Sequence, residues 1–160
     1  MQARRRPFHC AFGFIPRARM LQALETSRAM SKPEYLYHGT RKKLDLLNPT
    51  QGVGYGMADN EHGVYAVSER ELAIPFAISY RPLGDGAVFS VETSERPPRI
   101  VLKDTEVDWD QVGYVYKVRS ETFEQIDSEQ WLSRVPVKPV ETEEIKPESY
   151  RNWIVYKSER

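Results

Sequence analysis

Cysteine is nearly missing from this chain. Its 160 residues contain one, Cys10, so no internal disulfide can form and no Cys-x-x-Cys metal site exists. A reducing, cytoplasmic setting is the expectation. Long apolar runs are missing too: no stretch of about 18 apolar residues occurs, which excludes a membrane-spanning helix in the sequence and argues for a soluble protein without a membrane partner. Net charge is zero, with 23 Lys and Arg against 23 Asp and Glu. Internal repeats and low-complexity tracts are absent. What is present is 40% hydrophobic content, enough for one ordinary core in a chain of this length, and hence one globular domain.

The zero net charge conceals an asymmetry. Residues 1–29 hold six arginines (Arg4, Arg5, Arg6, Arg17, Arg19, Arg28) and one acid, Glu25, hence +5; the remaining 17 basic and 22 acidic residues give −5. The expected organisation is a basic leader over residues 1–30 and one domain over 31–160. Met30-Ser31-Lys32-Pro33 reads as a natural beginning. The leader then serves as an extended start or poorly ordered tail, with a targeting segment or an anion-docking arm as alternatives.

From Tyr35 onward, short β-like runs alternate with turn signals, as in an α+β domain. The expected strands are Tyr35 to His38, Gly63 to Val67, Ala87 to Glu92, Arg99 to Leu102, Gly113 to Val118, Val135 to Val140 and Trp153 to Lys157. Ser68 and Glu71 form an S-x-x-E capping box, and Leu72, Ala73, Phe76, Ala77 and Tyr80 then share one helical face. Pro75 inside that pattern bends or shortens the helix. A second helix is expected from Arg119 to Ile126. Trp109, Trp131 and Trp153 read as packing residues.

Chemistry concentrates in two segments, "YHGTR" at Tyr37 to Arg41 and "HGVYAVSERELAIPFA" at His62 to Ala77. Alone, a histidine ending a strand is commonly a solvent-satisfied side chain, and Tyr65 an ordinary strand aromatic. Together, in this order and with a helix behind the second, the segments resemble two signatures of the ADP-ribosyltransferase-like superfamily. The nearer comparison is with poly(ADP-ribose) polymerase catalytic domains; RNA 2'-phosphotransferases share the "YHGT" opening. The resemblance covers Tyr35 to Tyr80 and implies a split antiparallel β-sheet with few helices, and NAD as co-substrate.

It also implies roles. His38 hydrogen-bonds a ribose hydroxyl, as an imidazole that donates from one nitrogen and accepts at the other can do. The Gly39 main chain pairs with the nicotinamide carboxamide, which a missing Cβ permits. Thr40 adds a hydroxyl contact, and Tyr65 stacks on the nicotinamide ring. Gly52, Gly54, Gly56, Asp59 and Asn60 form a loop over the dinucleotide; their "GVGYG" run lacks the lysine of a Walker motif and the helix-opening spacing of a Rossmann one. Asn60, Glu61 and His62 are adjacent and diverge in direction, so no metal is expected.

Active members of this superfamily usually carry a glutamate on a later strand, where a carboxylate stabilises charge at the cleaved glycosidic carbon. Glu129, just before the apolar "QWLSRVPV", is the preferred counterpart. In "SYRNWIVY", closer to the polymerase pattern Asn-Glu-Tyr-Ile-Val-Tyr, Asn152 stands at the glutamate position. The expected activity is mono-ADP-ribosyl transfer to a protein or nucleic-acid acceptor, with His38, Tyr65 and Glu129 as its machinery. One alternative is RNA 2'-phosphotransfer, for which Arg41, Arg70 and Arg81 are the available arginines. Another is an inactive NAD- or ADP-ribose-binding module. Arg41, Lys42 and Lys43 are either a solvated turn or an attractor for phosphate.

Overall fold

The computed structural model describes residues 10–12, 32–51 and 62–158. The basic leader, apart from residues 10–12, lies outside the described residues, as do Gly52, Gly54, Gly56, Asp59, Asn60 and Glu61.

Among the described residues the chain runs β1 (Cys10–Phe12), β2 (Tyr35–Thr40), β3 (Thr50–Gln51), β4 (His62–Val67), α1 (Arg70–Ala77), β5 (Tyr80–Pro82), β6 (Val88–Glu92), β7 (Arg99–Lys103), β8 (Thr105–Val107), β9 (Gly113–Arg119), β10 (Phe123–Gln125), β11 (Gln130–Ser133) and β12 (Glu141–Ile145). A 3₁₀ segment, Pro147–Trp153, then leads into β13 (Ile154–Tyr156). A seven-stranded sheet has the order β10-β11-β4-β2-β9-β12 with β3 paired to β4, and all its pairings are antiparallel. A four-stranded sheet, β1-β6-β7-β13, is parallel at both edges, and β5 with β8 makes a ribbon. This is an α+β domain in which sheet predominates. No helix among the described residues is long and apolar enough to cross a membrane.

The large sheet carries apolar side chains on both faces. Tyr37, Val67 and Val115 pack with α1 and with Phe89, Val91, Ile100 and Leu102 of the four-stranded sheet. Leu36, Val64, Ala66, Tyr116 and Val118 form a second cluster with Leu47, Phe123 and Val137. The period-2 alternation of strands assigns odd positions of β2 and β4 to the α1 face and even ones to the other.

Helix α1 is flanked by sheet, so Leu72, Ala73, Ile74, Pro75 and Ala77 are all buried rather than a single stripe. It presses on the large sheet at two glycines one helical turn apart. A Cβ on Gly39 would lie 2.0 Å from the Ala73 carbonyl oxygen, and one on Gly113 would lie 1.6 Å from that of Ala77.

Five expectations need correction. The capping box does not form: Glu69 is the N-cap and makes no side-chain cap, because its carboxylate is drawn outward to Arg96 at 2.6 Å. Tyr80 leaves the helical face for β5. The helix expected over Arg119 to Ile126 is instead the end of β9, a turn and β10. There Phe123 is buried while Glu124 and Gln125 are exposed, and Asp127 Oδ1 accepts from the Glu129 and Gln130 amides at 2.9 and 2.6 Å, closing a hairpin. Val135 to Val140 is not a strand; Pro136 and Pro139 remove ladder donors, leaving one bridge, Leu47 to Val137. Strands stand on either side instead. The last strand is shortened to Ile154–Tyr156 because Trp153 completes the 3₁₀ segment.

Candidate functional site

The seam between β2 and β4 positions the candidate residues. Strand β2 is paired with β9 along its full length, Tyr35 to Arg119 through Thr40 to Tyr114. Against β4 it has one pair, Tyr37 to Val67. The sheet is therefore continuous at Tyr37 and open beyond it.

Which groups face that opening follows from hydrogen-bond phase. The Ser120 amide donates to the Glu34 carbonyl across β9 and β2 at 3.0 Å. In an antiparallel ladder, bonded and non-bonded pairs alternate. The even-numbered residues of β2 therefore bond to β9, while Tyr37 and Gly39 turn their amide and carbonyl toward β4. The Lys117 carbonyl, opposite Tyr37, agrees: it accepts from the Val140 amide at 2.8 Å on the β12 side. Tyr65 is in phase with Val67 and turns its carbonyl toward β2. That oxygen accepts from His38 Nδ1 at 2.5 Å.

This hydrogen bond joins the two sequence motifs, 27 residues apart, and fixes a tautomer. A carbonyl only accepts, so Nδ1 carries the proton and Nε2 of the neutral ring keeps its lone pair. Burial pushes the His38 pKa down, against the pull of the Tyr65 carbonyl, and the ring is neutral at pH 7. It presents one acceptor.

Gly39 has a steric reason to be glycine. The position of its missing Cβ is taken by α1, so the sterically required closeness is to a helix carbonyl. Its amide and carbonyl point along the sheet into the seam. Thr40 Oγ1 accepts from the Lys42 amide at 3.3 Å and helps form the turn after β2.

Glu129 immediately precedes β11, the strand beside β4. Gln130 pairs with Val67, itself paired with Tyr37, so these three line up across the sheet. With strands about 4.8 Å apart and about 3.4 Å per residue, the Glu129 main chain lies about 12 Å from that of His38. The Glu129 carboxylate is half-buried, and burial pushes its pKa up; a hydrogen bond from Thr93 and the charge of Arg96 oppose the rise, while Asp127 and Glu69 add to it. Arg96 also grips Glu69 through two contacts of 2.6 and 3.2 Å and donates to the Thr93 carbonyl at 2.5 Å. The loop after β6 is thereby tied to the start of α1 beside Glu129. Nothing local in the sequence marks Thr93 or Arg96 for this place, since the contacts join the two sheets.

Asn152 is elsewhere. It is exposed in the 3₁₀ segment before β13, which pairs with β7 in the four-stranded sheet. Of the three arginines considered for RNA phosphate, Arg70 is bound to Glu143 and to the Tyr150 hydroxyl, and Arg81 pairs with Glu106. Arg41 is exposed in the turn after β2. Trp109 and Trp153 pack on the α1-side core, and Trp131 on the opposite one. His62 is exposed in β4, and no cluster of three metal-ligating side chains occurs among the described residues. The chain matches no family model, no curated protein and no solved structure.

Proposed function

We propose that this chain is an NAD-dependent mono-ADP-ribosyltransferase of the ADP-ribosyltransferase-like, split-sheet type, with the seam between β2 and β4 as its nicotinamide-ribose site. The observation that carries the reading is the hydrogen bond from His38 Nδ1 to the Tyr65 carbonyl. It joins the His-Gly-Thr motif to the main chain of the Gly-Val-Tyr motif at the seam, toward which the Gly39 amide and carbonyl also turn. NAD supplies an ADP-ribosyl group on a nicotinamide leaving group.

The residues then act as follows. His38 Nε2 accepts from a ribose hydroxyl and fixes the sugar. The Gly39 amide and carbonyl pair with the carboxamide, and the Tyr65 ring provides an aromatic wall. The Glu129 carboxylate stabilises positive charge at the anomeric carbon as the glycosidic bond breaks and nicotinamide leaves with the bonding pair. It then takes the proton of the acceptor nucleophile that bonds to that carbon. The acceptor is a protein or a nucleic acid.

Two other readings are weaker. RNA 2'-phosphotransfer requires converging arginines, and Arg70 and Arg81 are held by carboxylates. A module that only binds NAD is the reading in which Glu129 takes no part in turnover. Calorimetry with NAD and parallel measurement of nicotinamide release test all three. Saturable binding abolished by His38→Ala, with release lost in Glu129→Gln while binding persists, supports the transferase. Binding without release identifies the module, and no binding at millimolar NAD removes the proposal.

A further inference from the structure

The turn that follows β2 is held and charged in a way that the nicotinamide-ribose site does not use. Arg41, Lys42 and Lys43 are consecutive and all exposed. Six arginines among the described residues are matched: Arg70, Arg81, Arg96, Arg99, Arg119 and Arg151 each face a glutamate. Among the described residues Arg41, Lys42 and Lys43 have no such partner. Three unmatched neighbouring cations repel one another, and an anion relieves that repulsion.

The main chain of this turn is also fixed from below. Tyr116 is fully buried in β9, yet its hydroxyl reaches the turn, accepting from the Leu44 amide at 2.5 Å and donating to the Lys42 carbonyl at 3.2 Å. Thr40 Oγ1 accepts from the Lys42 amide, and Leu44 packs on the same core as Tyr116. Both ends of the three-cation stretch are therefore anchored. Fixing the backbone lowers the ordering cost of binding, which is how preorganisation raises affinity.

We infer that the Arg41-Lys42-Lys43 turn, anchored by Tyr116, is a diphosphate subsite that holds the ADP half of the dinucleotide. The inference rests on the proposed NAD site, because the turn begins two residues after Gly39 and thus stands where β2 delivers the chain out of the seam. Arginine offers a bidentate fork to phosphate oxygens and the lysines offer point charges. Tyr116 is a positioning residue here; the cations touch the ligand.

The test uses the full chain and three probes: NAD, ADP and nicotinamide riboside, the last lacking the diphosphate. Affinities are measured at two salt concentrations for the wild type, for Arg41→Gln/Lys42→Gln/Lys43→Gln and for Tyr116→Phe. Lys138→Gln/Lys146→Gln/Lys157→Gln, which removes three exposed cations elsewhere, controls for overall charge. The expected result is a loss of about tenfold or more for NAD and ADP in the turn variant, with a shallower salt dependence, a smaller loss in Tyr116→Phe, and no change for nicotinamide riboside. Equal losses in the control variant, or wild-type affinity for NAD and ADP in the turn variant, overturn the subsite while leaving the transferase reading in place. ADP binding that needs the turn, in a protein that does not bind NAD, supports the subsite and removes the transferase. Absence of binding to both removes both.

Discussion

Replacing Gly39 by alanine separates the structural demand at this position from the chemical one. None of the described glycines has a positive φ, so alanine suits the backbone conformation and only space decides. A Cβ at Gly39 would stand 2.0 Å from the Ala73 carbonyl oxygen and 3.1 Å from the Phe76 Cβ. Relief requires β2 and α1 to part by at least about 1 Å, and both are backbone elements locked in a close-packed interior. The cost falls at the upper end of the overpacking range, about 3 kcal/mol. In a chain of this size that lowers the melting temperature by roughly 6 to 12 °C. Gly84→Ala is the control, since a Cβ there meets nothing within 4 Å, and its midpoint should stay within about 0.5 kcal/mol of the parent. The assay is a pair of thermal melts followed by circular dichroism. A Gly39→Ala protein melting within about 2 °C of wild type would refute the close approach of α1 and with it the packing explanation of the His-Gly-Thr glycine.

Further outcomes follow from the same contacts. Thr93→Val removes the hydrogen bond that holds the Glu129 pKa down against burial; the rise of nicotinamide release with pH should move to higher pH, with little change in the alkaline plateau. Asp127→Ala deletes three hydrogen bonds that close the hairpin, at 2.9, 2.6 and 2.8 Å, and should lower the denaturant-derived stability by about 1 to 3 kcal/mol. His38 is harder to protonate in the folded chain than in the unfolded one, so its contribution is intact above the ordinary histidine range and is lost as pH falls from about 6.5 toward the lowered value. Urea midpoints of wild type and His38→Gln measured from pH 8 to pH 5 should therefore converge on the acid side; a constant difference would contradict the shift. Arg70→Ala should cost about 1 kcal/mol or less by the same method, because its pair with Glu143 is 40% and 44% exposed.

The strands that frame the seam were legible because both of their faces are apolar or aromatic: "YLYH" and "GVYAV" read as strands whichever side is inward. Their mutual placement was not. A resemblance suggested that His38 and Tyr65 meet, but the contact is between an imidazole and a main-chain carbonyl, and a main-chain acceptor leaves no mark on residue type. Strand β12 was missed because "ETEE" is polar on both faces, as suits an outer strand protected by charge. Over Arg119 to Ile126, Glu121, Glu124 and Gln125 favour helix, a preference overridden where Phe123 is buried and Asp127 closes the hairpin. Thr93, Arg96 and Tyr116 were invisible as site residues because each acts across two elements distant in sequence. Glu129 stands just before a strand, as the apolar run after it suggests, while its Thr93 partner leaves no local mark.

The pairing of β2 with β9 sets the order in which the molecule can be made. Tyr35 faces Arg119, 84 residues further along the chain. A chain still emerging from the ribosome can carry His38 and Tyr65 for several seconds at about 5 to 20 residues per second before β9 exists to receive β2. During that interval β2 has an unpaired edge, and the Tyr116 hydroxyl that anchors the basic turn has not been synthesised. The final glutamate is added ten residues after Arg119. His38, Tyr65 and Glu129 are therefore together in the chain only after β9 has become available to receive β2.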